Sequence, residues 1–464
     1  MPTTPPGRRD GAPVAGVAAA AGAGSTRRGR LKFLDALRGI AALTVAVQHF
    51  AERGWPSYFR FSEGVVRPGE LGVLLFFLCS GFIIPASLER YDDLRRFWIG
   101  RFFRLFPLYW FVVGIALLLH VVHVAPLRRF PLDRDYLAHP LLNTLTNLTS
   151  LQQFTRLPHA AGPSLVIGAS WSLAYEMAFY VMVSLLFLVG RHRASVRTAA
   201  VALVGAVVVG DYVPAYLLTQ PTKPGWMLIA AMTVALALAL VAAVDPRHRL
   251  LATALAVLLV PLVLNRPDPL WFSALVFGSM FTGTVLYRWT RGEVSSRSAA
   301  AVYVGALLAV FCCLLGQVYP HREPLTGAAV DWWHPELATF AGAYLLFGAG
   351  LLLRHRQFPR PLVYLGAISY SVYLVHPVVL EVVPRVTGRG EGARWSNLVL
   401  GVALSVAISS VTYRVVEQPG IRLGRRVAAR VGAPRQSGQP GQAGQPGDGG
   451  DAAVAEREQE HAAP

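Results

Sequence analysis

The sequence predicts an all-α fold, a polytopic integral membrane bundle of about 10–12 transmembrane helices. Composition is the first ground: 54% of the 464 residues are hydrophobic and only 15% are charged. That balance excludes an ordinary soluble domain. The second is the recurrence of apolar runs of helix-spanning length at 34–51, 70–88, 105–124, 171–190, 198–218, 226–243, 249–265, 269–288, 299–318, 337–353, 363–383 and 395–415. The third is charge alternation. Arginine gathers in every second connection, at 89–104, 191–197, 245–249, 287–297 and 354–360 and after 422, which is the positive-inside pattern.

That alternation assigns both termini to the cytoplasm and the chain to the cell membrane as a multi-pass protein. The net charge of +17 then reflects loop arginines and attraction to anionic membrane lipid, not a nucleic-acid partner. Residues 1–30, rich in Pro, Gly, Ala and Arg, read as a disordered basic tail. No short apolar stretch with a cleavage site follows them, so they do not read as a signal peptide. Residues 31–420 read as one membrane domain. Residues 421–464 read as a basic and then Gly/Pro/Gln-rich disordered tail. Asp211 and Pro214 interrupt the run at 198–218, so ten or eleven spans stay open beside twelve. Cys79, Cys312 and Cys313 lie inside apolar runs and lack zinc-ligand spacing, and no metal site is expected.

The first apolar run carries Arg38 and His49 eleven positions apart. At about 100° and about 1.5 Å per residue, they share one helix face and lie roughly 16 Å apart along it. One reading has Arg38 snorkelling and His49 at the membrane interface. The other has both lining a polar cavity, since charged and titratable side chains are costly in lipid and commonly functional there. The second run contains Ser80 and Gly81, small residues that let another helix backbone approach. In the following segment Arg101 and Arg104 are three apart, so on a helix they project from one face, interleaved with aromatic residues. Two guanidinium groups so placed suit a phosphate or pyrophosphate. The fourth run carries Glu176 about two turns inside its helix. From the topology, Glu176 and His49 are expected at similar depth, where they could form a His–carboxylate dyad. Tyr373 and His376 are one turn apart in the eleventh run. Segments 125–169 and 319–336 are the largest expected outer loops.

Six pieces occur in order. They are Phe33-Leu34-Asp35-Ala36-Leu37-Arg38-Gly39-Ile40-Ala41-Ala42 with its Arg38-x10-His49 spacing, Phe76–Phe82, Arg101-x-x-Arg104-x-x-Pro107-Leu108-Tyr109-Trp110, Trp171-Ser172-Leu173-x-x-Glu176-x-x-Phe179-Tyr180, Ile368-Ser369-Tyr370-x-x-Tyr373-Leu374-x-His376-Pro377, and Glu417-x-Pro419. Together they resemble the acyltransferase 3 family of membrane acyltransferases, which includes bacterial O-acetylases of cell-surface polysaccharides and acylases of macrolides. The family often has an acidic residue two before the Phe76–Phe77 pair, where this chain has Leu74.

The resemblance implies an acyl donor, acetyl-CoA or another acyl-CoA, and an acceptor hydroxyl on a cell-surface glycan or a secreted small molecule. On that basis Arg38, Arg101 and Arg104 are expected to hold the donor's phosphates. His49, aided by Glu176, is expected to act as general base or to carry the acyl group transiently. A transporter or flippase of glycan or lipid-linked intermediates is the alternative. It predicts internal repeats and paired broken helices, and no repeat is visible in the sequence.

Overall fold

A computed structural model describes residues 16–122, 147–150, 166–210, 248–266, 268–318, 333–388 and 391–431, with isolated positions at 144, 212, 213, 216, 217 and 234. Among the described residues all regular structure is helical. The helices are α1 (Gly16–Gly54), α2 (Pro56–Gly64), α3 (Pro68–Tyr91), α4 (Leu94–Val121), α5 (Trp171–Leu188), α6 (Ser195–Val209), α7 (His248–Leu264), α8 (Leu270–Thr290), α9 (Ser296–Val318), α10 (Trp333–Leu352), α11 (Arg360–Ala367), α12 (Ser369–Thr387), α13 (Arg394–Thr412) and α14 (Gln418–Val431).

Local chemistry sets several of these boundaries. Pro56 and Pro68 stand at the first turns of α2 and α3, where a missing backbone N–H leaves nothing unpaired. Helix α3 closes on Asp92 in the left-handed conformation (φ 47°), its N–H returning to the Leu88 carbonyl. A turn of 3-10 helix, Gly168–Ser170, leads into α5, and one π-helical turn, Tyr413–Glu417, joins α13 to α14.

Seven helices among the described residues are long and apolar enough to cross a membrane. The pair α11 and α12, bent by 71° at its break, raises the number to as many as eight. Eleven of the twelve apolar runs coincide with helices; the twelfth, 226–243, lies outside the described residues except at position 234, as do most of 125–169 and 319–336. The chain is therefore a polytopic helical bundle. Two boundaries differ from the sequence reading. Helix α1 begins at Gly16, so the segment expected to be an irregular tail to residue 30 is helical from there on. Helix α14 runs to Val431, so the tail expected from 421 opens as a helix. Both stretches alternate small or apolar residues with arginine, which composition alone reads as disorder. Arg422, Arg425, Arg426 and Arg430 are exposed on α14, and its other face packs on α4.

Helix α1 is the axis of the site. It packs against α3, α11, α12 and α13. Glycine makes two of the closest approaches. A Cβ at Gly366 would lie 1.8 Å from the Asp35 carbonyl oxygen, so α11 meets α1 backbone to backbone. A Cβ at Gly81 would lie 1.8 Å from the Met280 carbonyl oxygen, which locks α3 to α8. Thr284 reinforces that second contact by donating to the Gly81 carbonyl at 2.9 Å. The expected packing role of Gly81 is thus met by a named partner helix.

Candidate active site

The unbroken α1 presents Arg38 and His49 to two separate chambers. The larger chamber has a volume of about 480 Å³, and His49, Gln48, Glu52, Glu70, Trp171 and Asp268 are among the residues that line it. The smaller, about 70 Å³, is lined by Arg38, Arg101, Arg104, Glu176 and Ser80, with apolar walls from Phe76, Ile83, Ile84 and Leu374. Phe77 and Tyr373 belong to both linings. The chambers therefore lie back to back, with Tyr373 in the wall between them. The Tyr373 hydroxyl donates to the Ala169 carbonyl at 2.8 Å and lies 2.6 Å from Ser172 Oγ. These bonds tie α12 to the start of α5.

The family resemblance grouped Arg38, Arg101 and Arg104 as one site, and the fold places all three around the smaller chamber. Arg101 and Arg104 lie on α4, so their three-residue spacing does put them on one face. Among the described residues neither Arg38 nor Arg104 donates a hydrogen bond to another side chain or carbonyl. Arg101 rests its guanidinium over the Phe97 and Tyr180 rings, at 5.5 and 5.7 Å from their centroids. The one carboxylate lining the chamber, Glu176, accepts hydrogen bonds from Tyr180 (2.6 Å) and Ser80 (3.2 Å). Three cations and one anion line this chamber, and the carboxylates of Asp35 and Glu417 act electrostatically on Arg38 and Arg104 from outside its lining.

Glu176 departs from its expected place. Its hydrogen bonds go to Ser80 and Tyr180 within the arginine chamber, so it does not form the anticipated dyad with His49. Helix geometry gives the reason. Ser172 stands level with Tyr373 in the partition, and Glu176 is four residues further along the same face of α5. That is about 6 Å deeper, at the level of the arginines.

The partner of His49 is His376. Their Nδ1 and Nε2 atoms are 2.9 Å apart, and the rings are nearly parallel, 10° between planes. His376 Nδ1 in turn lies 3.0 Å from the Val372 carbonyl oxygen. The sequence offered two signals for His376, its one-turn spacing from Tyr373 and its place in the Ile368–Pro377 piece, but gave no means of seeing that α12 would return to α1.

Asp268 was missed altogether. It sits just before α8 and faces the larger chamber. Its Oδ2 accepts a 2.7 Å hydrogen bond from the Tyr175 hydroxyl, which is also 2.7 Å from Ser273 Oγ. Burial pushes the Asp268 carboxyl up, opposed by the Tyr175 hydrogen bond and the Arg266 charge. Across the same chamber Arg67 is paired with Glu336 at 2.6 Å. Among the described residues no group of three His, Cys, Asp or Glu side chains is arranged to hold a metal ion.

The family profile described as an acyltransferase domain matches residues 31–414, most of the chain. The chain belongs to this acyltransferase family. It is 26% identical over 419 residues to the acyltransferase MdmB of Streptomyces mycarofaciens, covering 86% of this chain and 93% of that one. It is 24% identical over 402 residues to the putative peptidoglycan O-acetyltransferase YrhL of Bacillus subtilis, covering 83% of this chain. The match spans about half, 54%, of the Bacillus protein. Nodulation protein 10 of Rhizobium leguminosarum is 24% identical over 372 residues, 77% of this chain and 84% of its own length. No solved structure matches.

Proposed function

We propose that this chain is an integral-membrane O-acyltransferase that moves an acyl group, acetyl in the first instance, from cytoplasmic acyl-CoA to a hydroxyl of a surface glycan or a secreted metabolite. The observation that carries this reading is the pair of adjoining chambers. Arginines that among the described residues donate no hydrogen bond converge on one, a histidine opens onto the other, and Tyr373 and Phe77 line both. Three guanidinium groups gathered inside a membrane domain are costly even with carboxylates nearby, and an anionic ligand offsets that cost. A donor carrying phosphates supplies such charge, and guanidinium forks match it. The narrow apolar walls of the arginine chamber suit an acyl arm. The arginine-rich connections on the same side support a cytoplasmic entry for the donor.

The roughly 16 Å of helix between Arg38 and His49 then acts as a ruler. The donor's charged part sits at Arg38, Arg101 and Arg104. Its thioester reaches past Tyr373 towards His49. His49 takes the proton of the acceptor hydroxyl, and the alkoxide oxygen adds to the thioester carbonyl carbon. The carbon–sulfur bond breaks, and the thiolate leaves with the proton held by His49. Glu176 limits the positive charge of the donor chamber and orients Ser80 and Tyr180. Trp171, Gln48 and Asp268 offer the acceptor an aromatic face and hydrogen-bonding groups on the His49 side. The names of the relatives, an O-acetyltransferase of peptidoglycan and an acyltransferase, support the reaction class.

A strain lacking the protein tests the reading. Mass spectrometry of its surface glycans and secreted metabolites is expected to show one species lighter by an acyl group per hydroxyl. Wild-type protein restores the mass and Arg38→Ala does not. A deletion strain with no acyl difference in either fraction overturns the proposal.

A further inference from the structure

We infer that His376 is a positioning residue that fixes the tautomer of His49, placing the hydrogen on His49 Nδ1 and the lone pair on Nε2. The inference rests on His49 being the base proposed above. It follows from a chain of two contacts whose first link has no freedom. A carbonyl oxygen only accepts, so the 3.0 Å contact between Val372 O and His376 Nδ1 requires a hydrogen on that nitrogen. His376 has no exposed surface, and among the described residues its hydrogen-bond and ring contacts are His49, the Val372 carbonyl and Tyr373, none of them a carboxylate. A charge on such a buried ring would go unanswered, so the ring is neutral and its Nε2 carries a lone pair. That lone pair lies 2.9 Å from His49 Nδ1, which must then be the donor. A neutral His49 has one hydrogen, so Nε2 is left as its basic atom.

The second ring thus does for His49 what a carboxylate or carbonyl does for many catalytic histidines: it selects which nitrogen is basic. Backbone geometry holds the arrangement in place. Val372 and His376 are four apart on α12, so the Val372 carbonyl lies within reach of the His376 side chain along the helix. Pro377 cannot donate to the Tyr373 carbonyl, so the helix ladder lacks that bond one residue beyond Val372.

The test reads the tautomer directly. Protein carrying 15N-labelled histidine is placed in lipid bilayers, and solid-state NMR resolves protonated from bare ring nitrogens. The signals of His49 are those that vanish in His49→Gln. In the wild-type protein near neutral pH, His49 is expected to show a protonated Nδ1 and a bare Nε2. In His376→Leu the ring loses its acceptor, and a signal for protonated Nε2 is expected to appear. His376→Gln, whose amide oxygen can accept from His49 Nδ1, is expected to retain the wild-type pattern in part. Acyl transfer should follow the same order, falling at least tenfold in His376→Leu and recovering in part in His376→Gln. A wild-type His49 protonated on Nε2 overturns the inference, as does an unchanged tautomer in His376→Leu. If His376→Leu does not accumulate, the wild-type spectrum still decides. The spectra need neither donor nor acceptor, so a wrong tautomer is distinguishable from a wrong reaction.

Discussion

The Ser172 Oγ and Tyr373 hydroxyl atoms, 2.6 Å apart, join α5 to α12 at the wall between the two chambers. This bond, with the one from Tyr373 to the Ala169 carbonyl, holds the wall that separates the Arg38 chamber from the His49 chamber.

Removing the Tyr373 hydroxyl leaves both partners short of a bond in a buried place. Tyr373→Phe is expected to lower stability by about 1–3 kcal/mol, read as a lower Tm in detergent. Because the ring remains, the two chambers stay separate, and the variant still inserts into the membrane.

The glycines at the helix crossings divide into two groups. Gly81→Ala and Gly366→Ala each drive a methyl into a backbone carbonyl of the facing helix, so the helices must part. Each is expected to lose about 1–3 kcal/mol, and more if the backbone cannot yield. Gly305→Ala in α9, with open space around its Cβ, is expected to gain up to about 1 kcal/mol from helix propensity. Thermal unfolding of the three variants checks the sign at each position.

The twelve apolar runs and their alternating arginines made the bundle legible from sequence, because burial in lipid imposes a length and a charge rule on each span. Arg101 and Arg104 were legible for a similar reason: a spacing of three has a fixed meaning on a helix. Contacts that close over long separations were not. His49 meets His376 across 327 positions, and Ser172 meets Tyr373 across 201. Glu176 shows where depth arithmetic fails: α5 starts at Trp171, as the apolar run does, but one turn past Ser172 the side chain enters the arginine chamber and bonds to Ser80 and Tyr180 rather than meeting His49. Asp268 lay in a short connection with no periodicity to mark it.

Ligand binding separates the arginine chamber from a merely structural cluster. Acetyl-CoA is expected to raise the Tm of the wild-type protein. At a hundredfold excess over Kd the gain corresponds to about 2.7 kcal/mol. The doubly substituted Arg38→Ala, Arg104→Ala protein is expected to show no shift. Differential scanning fluorimetry with acetyl-CoA, with free phosphate as control, makes the comparison.

Glu176 bonds to Ser80 and Tyr180, so its substitution should act on the donor side. Glu176→Gln is expected to change the KM for the acyl donor several-fold. The KM for the acceptor and the His49 tautomer should stay as in the wild type. Steady-state kinetics with each substrate varied in turn separates the two.

Asp268 gives a pH signature with a defined sign. Burial raises its carboxyl in the folded protein, so the folded state binds its proton more tightly than the unfolded chain. The resulting contribution to stability is fully present below the unfolded value of about 3.9 and is lost as pH rises through the raised folded value. The Tm of Asp268→Asn should lack that descending step when both proteins are followed upward from about pH 3.9.

The central claim, that His49 performs the transfer on a donor held by the arginines, is tested most directly by label transfer. Membranes bearing wild-type protein and membranes bearing His49→Ala at equal abundance are supplied with acetyl-CoA labelled in the acetyl group. Label is expected to leave the donor and appear on an extractable glycan or metabolite with the wild-type protein, and to remain on the donor with His49→Ala. Undiminished transfer by a well-inserted His49→Ala protein would contradict the account.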